Sequence, residues 1–134
     1  MRHLDELQAR EFASRWLPAW TGNEPERLAA FYSEDAFYLD PGVSDGLHGR
    51  PALLAYFRKL LAANPEWTWT QVEGIPLRDG FLNKWQAVIP AGVGSVTVIG
   101  VCFVQLDDAG LIRRNEVYFD RSPLLAALAV ARAG

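Results

Sequence analysis

From Leu4 to Trp20 the apolar residues Leu4, Leu7, Phe12, Ala13, Trp16, Leu17 and Trp20 recur at three- and four-residue spacing. That is the period of one helix face, and it predicts a first helix with Phe12, Trp16 and Trp20 stacked along it. Thr21-Gly22-Asn23 supplies a stop. Asn23 followed by Pro25 and Glu26 is a helix-start signature, so a short second helix is expected to run to about Tyr32. Ala36 to Asp40 reads as a strand and Asp40-Pro41-Gly42 as its turn, because Pro fixes φ and Gly accepts φ > 0. A third helix is expected to start near Pro51, with Leu53, Leu54, Phe57, Leu60 and Leu61 on its apolar face. It stops at Asn64-Pro65, since the residue before Pro avoids the helical region.

Past Pro65 the pattern changes period. Thr68 to Ile75, Phe81 to Ile89, Ser95 to Leu106 and Leu111 to Asp120 are rich in β-branched and aromatic residues. Turns such as Arg78-Asp79-Gly80 and Asp107-Asp108-Ala109-Gly110 separate them, and connections this short imply an antiparallel meander. Ser122-Pro123 opens a last helix through Leu128. Helices followed by strands imply an α+β domain with helices on one face of a curved sheet. The long strand Val96 to Val104 is apolar on both alternating faces, so both faces require cover. The helices supply one cover. Ile99, Val101 and Phe103 on the other face predict a homodimer through the outer sheet face.

The chain has 134 residues, half of them apolar and 22% charged. That length fits a single domain, 1–134, large enough to bury a core without metal or disulfide staples. The N-terminal Met-Arg-His-Leu-Asp-Glu is charged at once and no apolar run reaches membrane-spanning length, so neither a signal peptide nor a membrane helix is expected, and the cytoplasm is the expected location. Cys102, the single cysteine, agrees with a reducing compartment. Net charge is −3, and Arg58-Lys59 and Arg113-Arg114 are the only adjacent basic pairs. The electrostatic footprint of a nucleic-acid partner is missing.

Among candidate chemical groups, Asp40 stands out: a carboxylate at the end of an aromatic strand, just before a turn, sits where it can face a pocket. It reads either as a general base taking a proton α to a carbonyl or as a cap on the Pro-Gly turn. His48 is close to that turn in sequence, at the expected start of the third helix, where it would pair with Asp40 or be structural. A metal site needs more ligands than His3 and His48, which are far apart, and no metal or other cofactor is expected. Cys102 lacks a visible base partner and reads as a buried, inert thiol. Trp16 from the first helix and Trp85 from the sheet are expected to face each other across an aromatic-lined pocket, with Trp67 and Trp69 as sheet-edge packing.

The stretches Leu28-Ala-Ala-Phe-Tyr-Ser-Glu-Asp-Ala-Phe-Tyr-Leu-Asp-Pro, Gly49 to Leu54 and Gly110 to Asp120 resemble the nuclear transport factor 2-like superfamily. That superfamily includes SnoaL-like polyketide cyclases, ketosteroid isomerases and limonene-epoxide hydrolases. The resemblance implies a cone in which a bent antiparallel sheet packs on the N-terminal helices and encloses an apolar pocket. It turns Asn83, Trp85, Ala87, Val98, Gly100, Cys102, Asn115, Val117 and Phe119 inward, and Gln86, Glu116 and Tyr118 outward. Asp40, also followed by Pro, matches the general-base aspartate of the isomerases. Their oxyanion hole, a Tyr and a protonated Asp, is not matched: Cys102 stands at the Asp position and Arg15 or Trp16 at the Tyr position. The Arg and paired Asp residues of the epoxide hydrolases match Trp85 or Gln86, Ala87 or Val88, and Val117. What the resemblance leaves is a cofactor-free isomerase or cyclase acting on an apolar carbonyl ligand, with Asp40 as base and Asn115 or His48 orienting it. The alternative is a non-catalytic ligand-binding or dimeric interaction domain on the same fold.

Overall fold

A computed structural model of the chain describes residues 3–133, with side chains through Ala131. Helix α1 spans Glu6–Trp16 and opens on a capping box: Gln8 N–H donates to Asp5 Oδ1 at 2.8 Å and Asp5 N–H donates to Gln8 Oε1 at 2.9 Å. Ala9, Phe12, Ala13 and Trp16 form its buried face. The expected single helix to Trp20 is not continuous. Pro18 has no N–H to continue the ladder, and Leu17–Trp20 tightens into a 3₁₀ turn. Gly22 and Asn23, at φ 88° and 57°, then reverse the chain. Because Asn23 is left-handed it does not cap the next helix; α2 covers only Pro25–Ala29, with Glu24 at its N-cap position.

Strand β1 spans Tyr32–Leu39 and so begins four residues before the expected Ala36. Tyr32 belongs to this strand and not to the second helix. A two-residue strand β2, Leu47–His48, pairs back on it through Phe37↔His48 and Tyr38↔Leu47. The third helix, α3, spans Arg50–Ala63 and starts after Gly49, whose φ of 90° favours glycine. The meander follows as β3 Thr68–Leu77, β4 Gly80–Ala91, β5 Gly94–Leu106 and β6 Ile112–Tyr118, all antiparallel. β1 joins β6 in parallel, giving one six-stranded sheet in the order β2-β1-β6-β5-β4-β3. A last helix, α4, spans Ser122–Ala133 and runs beyond the expected Leu128.

The sheet alternates as a half-covered strand pattern requires. On β4, Phe81, Asn83, Trp85, Ala87 and Ile89 are buried while Lys84, Val88 and Pro90 are exposed. On β5, Val98, Gly100, Cys102 and Val104 are buried; Ile99 on the opposite face is 48% exposed. The helices close the inner face, where Trp16, Tyr32, Phe57 and Phe81 are fully buried. The result is a mixed α+β cone, a bent sheet wrapped on helices. No helix among the described residues is long and apolar enough to cross a membrane.

Candidate functional site

Asp40 follows directly on β1 and is 8% exposed. Its two carboxylate oxygens have separate partners. Oδ1 accepts from the N–H groups of Gly42 at 2.7 Å and Val43 at 3.2 Å, closing the Pro41-Gly42 turn. Oδ2 accepts from the hydroxyls of Tyr38 at 2.7 Å and Tyr56 at 2.8 Å. A carboxylate has about four lone-pair positions, and these four donors fill them. Burial, then the charge of Asp40, pushes both phenols well above the ordinary tyrosine pKa, so each stays a neutral donor.

Beside this carboxylate lies a cavity of about 220 Å³. Asp40 borders it together with Trp16 of α1, Trp85 of β4, Val98 and Cys102 of β5, and Asn115 and Val117 of β6. Phe119, just past β6, packs edge-on against Trp85 at 5.4 Å and borders it as well. Two residues expected at the pocket lie elsewhere. Asn83 is buried behind the lining, accepting from Gln71 Nε2 at 2.9 Å and donating to Cys102 Sγ at 3.5 Å. His48 is exposed on β2, its ring against Phe37 at 4.9 Å, and is not among the partners of Asp40.

Trp67 and Trp69 correct the expectation of edge packing. Both line the cavity, as does Trp20, so all five tryptophans of the chain border one space. Leu124, Leu125 and Leu128 of α4 lie over it, and the exposed Arg121 stands at its rim. Sequence reasoning missed the two phenols on Asp40. Tyr38 had a signal, since residues two apart on a strand share a face. Tyr56 had none, because its approach depends on where α3 lies.

Asn115, fully buried in the cavity wall, donates from Nδ2 to the Tyr32 hydroxyl at 3.1 Å. Asn115 Oδ1 is buried without a hydrogen-bond partner, and so is Trp16 Nε1, which acts on the ionisation of the Tyr32 hydroxyl without hydrogen-bond geometry. Burial raises Tyr32 far above the ordinary phenol range. It also pushes the Cys102 thiol up to about 12, against the smaller opposing effects of Asn83 and Trp85, so the sulfur is a neutral thiol. Among the described residues no group of three His, Cys, Asp or Glu side chains is arranged to hold a metal ion.

Residues 13–115 match the model of the SnoaL-like domain. No curated protein matches the chain. Among solved structures, a hypothetical protein from Catenulispora acidiphila with a ketosteroid isomerase-like fold, solved in complex with trimethylamine, is similar with TM-score 0.77 and 19% identity, covering 89% of this chain and 92% of that one. A Mycobacterium tuberculosis protein superposes with TM-score 0.70 at 22% identity, over 84% of this chain and 91% of its own. A nuclear transport factor 2-like protein of unknown function from Exiguobacterium sp. gives TM-score 0.66 at 16% identity, over 81% and 98%. At these identities the likeness is one of fold.

Proposed function

The chain belongs to the SnoaL-like domain family, and on that premise we propose that its cavity binds a small apolar carbonyl compound from which Asp40 abstracts a proton. The observation that carries this reading is the division of labour on the Asp40 carboxylate. Oδ1 is committed to the turn, while Oδ2 meets the cavity wall through two phenols. A carboxylate with all its acceptor positions filled cannot take a proton until one donor leaves. Tyr38 is fully buried, whereas Tyr56 is half-buried and is the donor free to turn. Substrate entry would release the Tyr56 hydroxyl from Oδ2, exposing a lone pair to the acidic C–H. The freed hydroxyl would then donate to the substrate carbonyl, where enolate charge develops. Asn115 orients the substrate from the buried wall of the cavity, and His48 has no part.

The test is exchange of α-hydrogens for deuterium in a panel of flat cyclic ketones, followed by NMR. Wild-type protein should accelerate exchange of at least one ketone, and Asp40→Asn should lower that rate about 10²- to 10⁴-fold with ligand binding retained. Equal rates for both proteins would sink the proposal.

A second reading, a non-catalytic ligand-binding domain, is favoured by the same four donors: Asp40 is fully satisfied without substrate. Binding without any exchange above the buffer rate would select it. Under either reading the exposed outer face, with Ile99 at 48% exposure and Val101 and Phe103 half-buried, supports a homodimer.

A further inference from the structure

We infer that the cavity selects a ligand bearing a tertiary or quaternary ammonium group. This rests on the reading of the cavity as a ligand site and not on the proton-transfer step; a carbonyl compound that carries an amine would satisfy both.

The walls are made of rings. All five tryptophans contribute, with Tyr38, Tyr56 and Phe119. Neighbouring rings are tilted against one another: Trp20 and Trp69 at 48° with centroids 5.9 Å apart, Trp67 and Trp69 at 51° and 6.1 Å, and Tyr38 and Tyr56 at 43° and 5.9 Å. Rings set at such angles do not share one plane, so a guest among them can meet ring faces as well as edges. Ring faces carry negative potential, tryptophan most of all, and attract a cation that has shed its water.

Asp40 adds a full negative charge to the same wall at 8% exposure. Its four partners are two phenols and two backbone N–H groups, all neutral. Among the described residues no Lys, Arg or His forms an ion pair with it. Arg121 is exposed at the rim on the Gly42 side of the carboxylate, close enough to act on the ionisation of Tyr56, but solvent weakens its field. A buried charge is ordinarily paired; here the one cation near the carboxylate is solvent-exposed and makes no ion pair with it, so a cationic guest in the cavity would pair it at closer range. An alkylated ammonium fits both features: methyl groups for the apolar walls, and a diffuse charge for the rings and the carboxylate. A primary ammonium fits less well: its three N–H groups need acceptors that the apolar walls lack, and Asp40 offers at most the one position that Tyr56 can vacate, enough for the single N–H of a tertiary ammonium. An anionic guest would meet repulsion from the carboxylate and from the ring faces together.

The experiment is a tryptophan-fluorescence titration of the full chain with phenyltrimethylammonium and with tert-butylbenzene, two molecules of nearly the same shape that differ in charge. The cation should bind at least about tenfold more tightly, a difference of about 1.4 kcal/mol. Asp40→Asn should reduce that ratio to below about threefold, and Trp69→Leu, which keeps an apolar wall but removes a ring, should reduce it in the same direction. Equal affinities for the two compounds in wild-type protein, or tighter binding of the hydrocarbon, would overturn the ammonium inference while leaving the small-molecule reading intact. Failure of both to bind at millimolar concentration would overturn both. The wild-type ratio decides the matter even where a variant does not fold.

Discussion

The Tyr56 hydroxyl donates to Asp40 Oδ2 at 2.8 Å, joining the middle of α3 to the end of β1 across sixteen residues of chain. The bond ties the helix layer to the sheet at the cavity wall, beside the second phenol, Tyr38. Because the acceptor is a buried carboxylate, the bond is stronger than one between neutral groups. Tyr56→Phe is expected to lower the unfolding free energy by about 1 to 2 kcal/mol in urea titrations. An unchanged midpoint would mean that water replaces the phenol without cost.

Gly100 lies directly opposite Trp85 in the β4–β5 ladder. A Cβ at Gly100 would come within 2.3 Å of Trp85 Cζ2, so the indole lies across the glycine and borders the cavity from there. Gly100→Ala should force Trp85 aside and destabilise the fold by about 1 to 3 kcal/mol. Chemical denaturation, with a shifted tryptophan emission maximum of the native state, measures it; native-like emission and stability would contradict the packing described.

Cys102 makes stability depend on alkaline pH. Its folded thiol ionises at about 12, against an ordinary value of 9.0. Between those values the unfolded chain has lost the proton and the folded chain keeps it, so stability falls as pH rises, at up to about 1.4 kcal/mol per pH unit from this group. The buried Tyr32 and Tyr38, both raised by burial, steepen the decline above pH 10. In Cys102→Ala the decline should begin about one unit later in thermal melts at stepped pH. An identical onset in both proteins would show that the thiol is accessible.

Ile99 is 48% exposed on the outer sheet face, with Val101 and Phe103 half-buried beside it. If that face is the homodimer interface, light scattering should give twice the chain mass for wild type and a single chain mass for Ile99→Lys. The substitution leaves the core untouched, so the far-ultraviolet circular dichroism should not change. A wild-type monomer at micromolar concentration would remove the dimer.

Much of this architecture was legible along the chain because it rests on local periods. Phe12 and Trp16 recur at helical spacing and share the buried face of α1; Phe81, Trp85, Ala87 and Ile89 alternate with exposed residues and share the inner face of β4. Asp40 before Pro41-Gly42 announced a carboxylate at a strand end. The failures have physical causes too. Ser33-Glu34-Asp35 hid the first half of β1, where pairing of Tyr32 with Ile112 of β6 overrides weak strand propensity. Pro18 broke a helix that the apolar pattern alone continued. His48 is near Asp40 in sequence, yet its pairing opposite Phe37 keeps it away from the carboxylate.

By itself, the sequence determined the order of the main helices and strands and which face of each is apolar, though not all their ends or the short strand β2, because periods of two to four residues mark the body of an element better than its limits. Tertiary structure alone decided that Tyr56 reaches Asp40, that Asn115 meets Tyr32 across 83 residues, and that five scattered tryptophans border one cavity. Those meetings depend on how α1 and α3 lie across a bent sheet, and that placement is fixed by packing summed over the whole core, which no local period encodes.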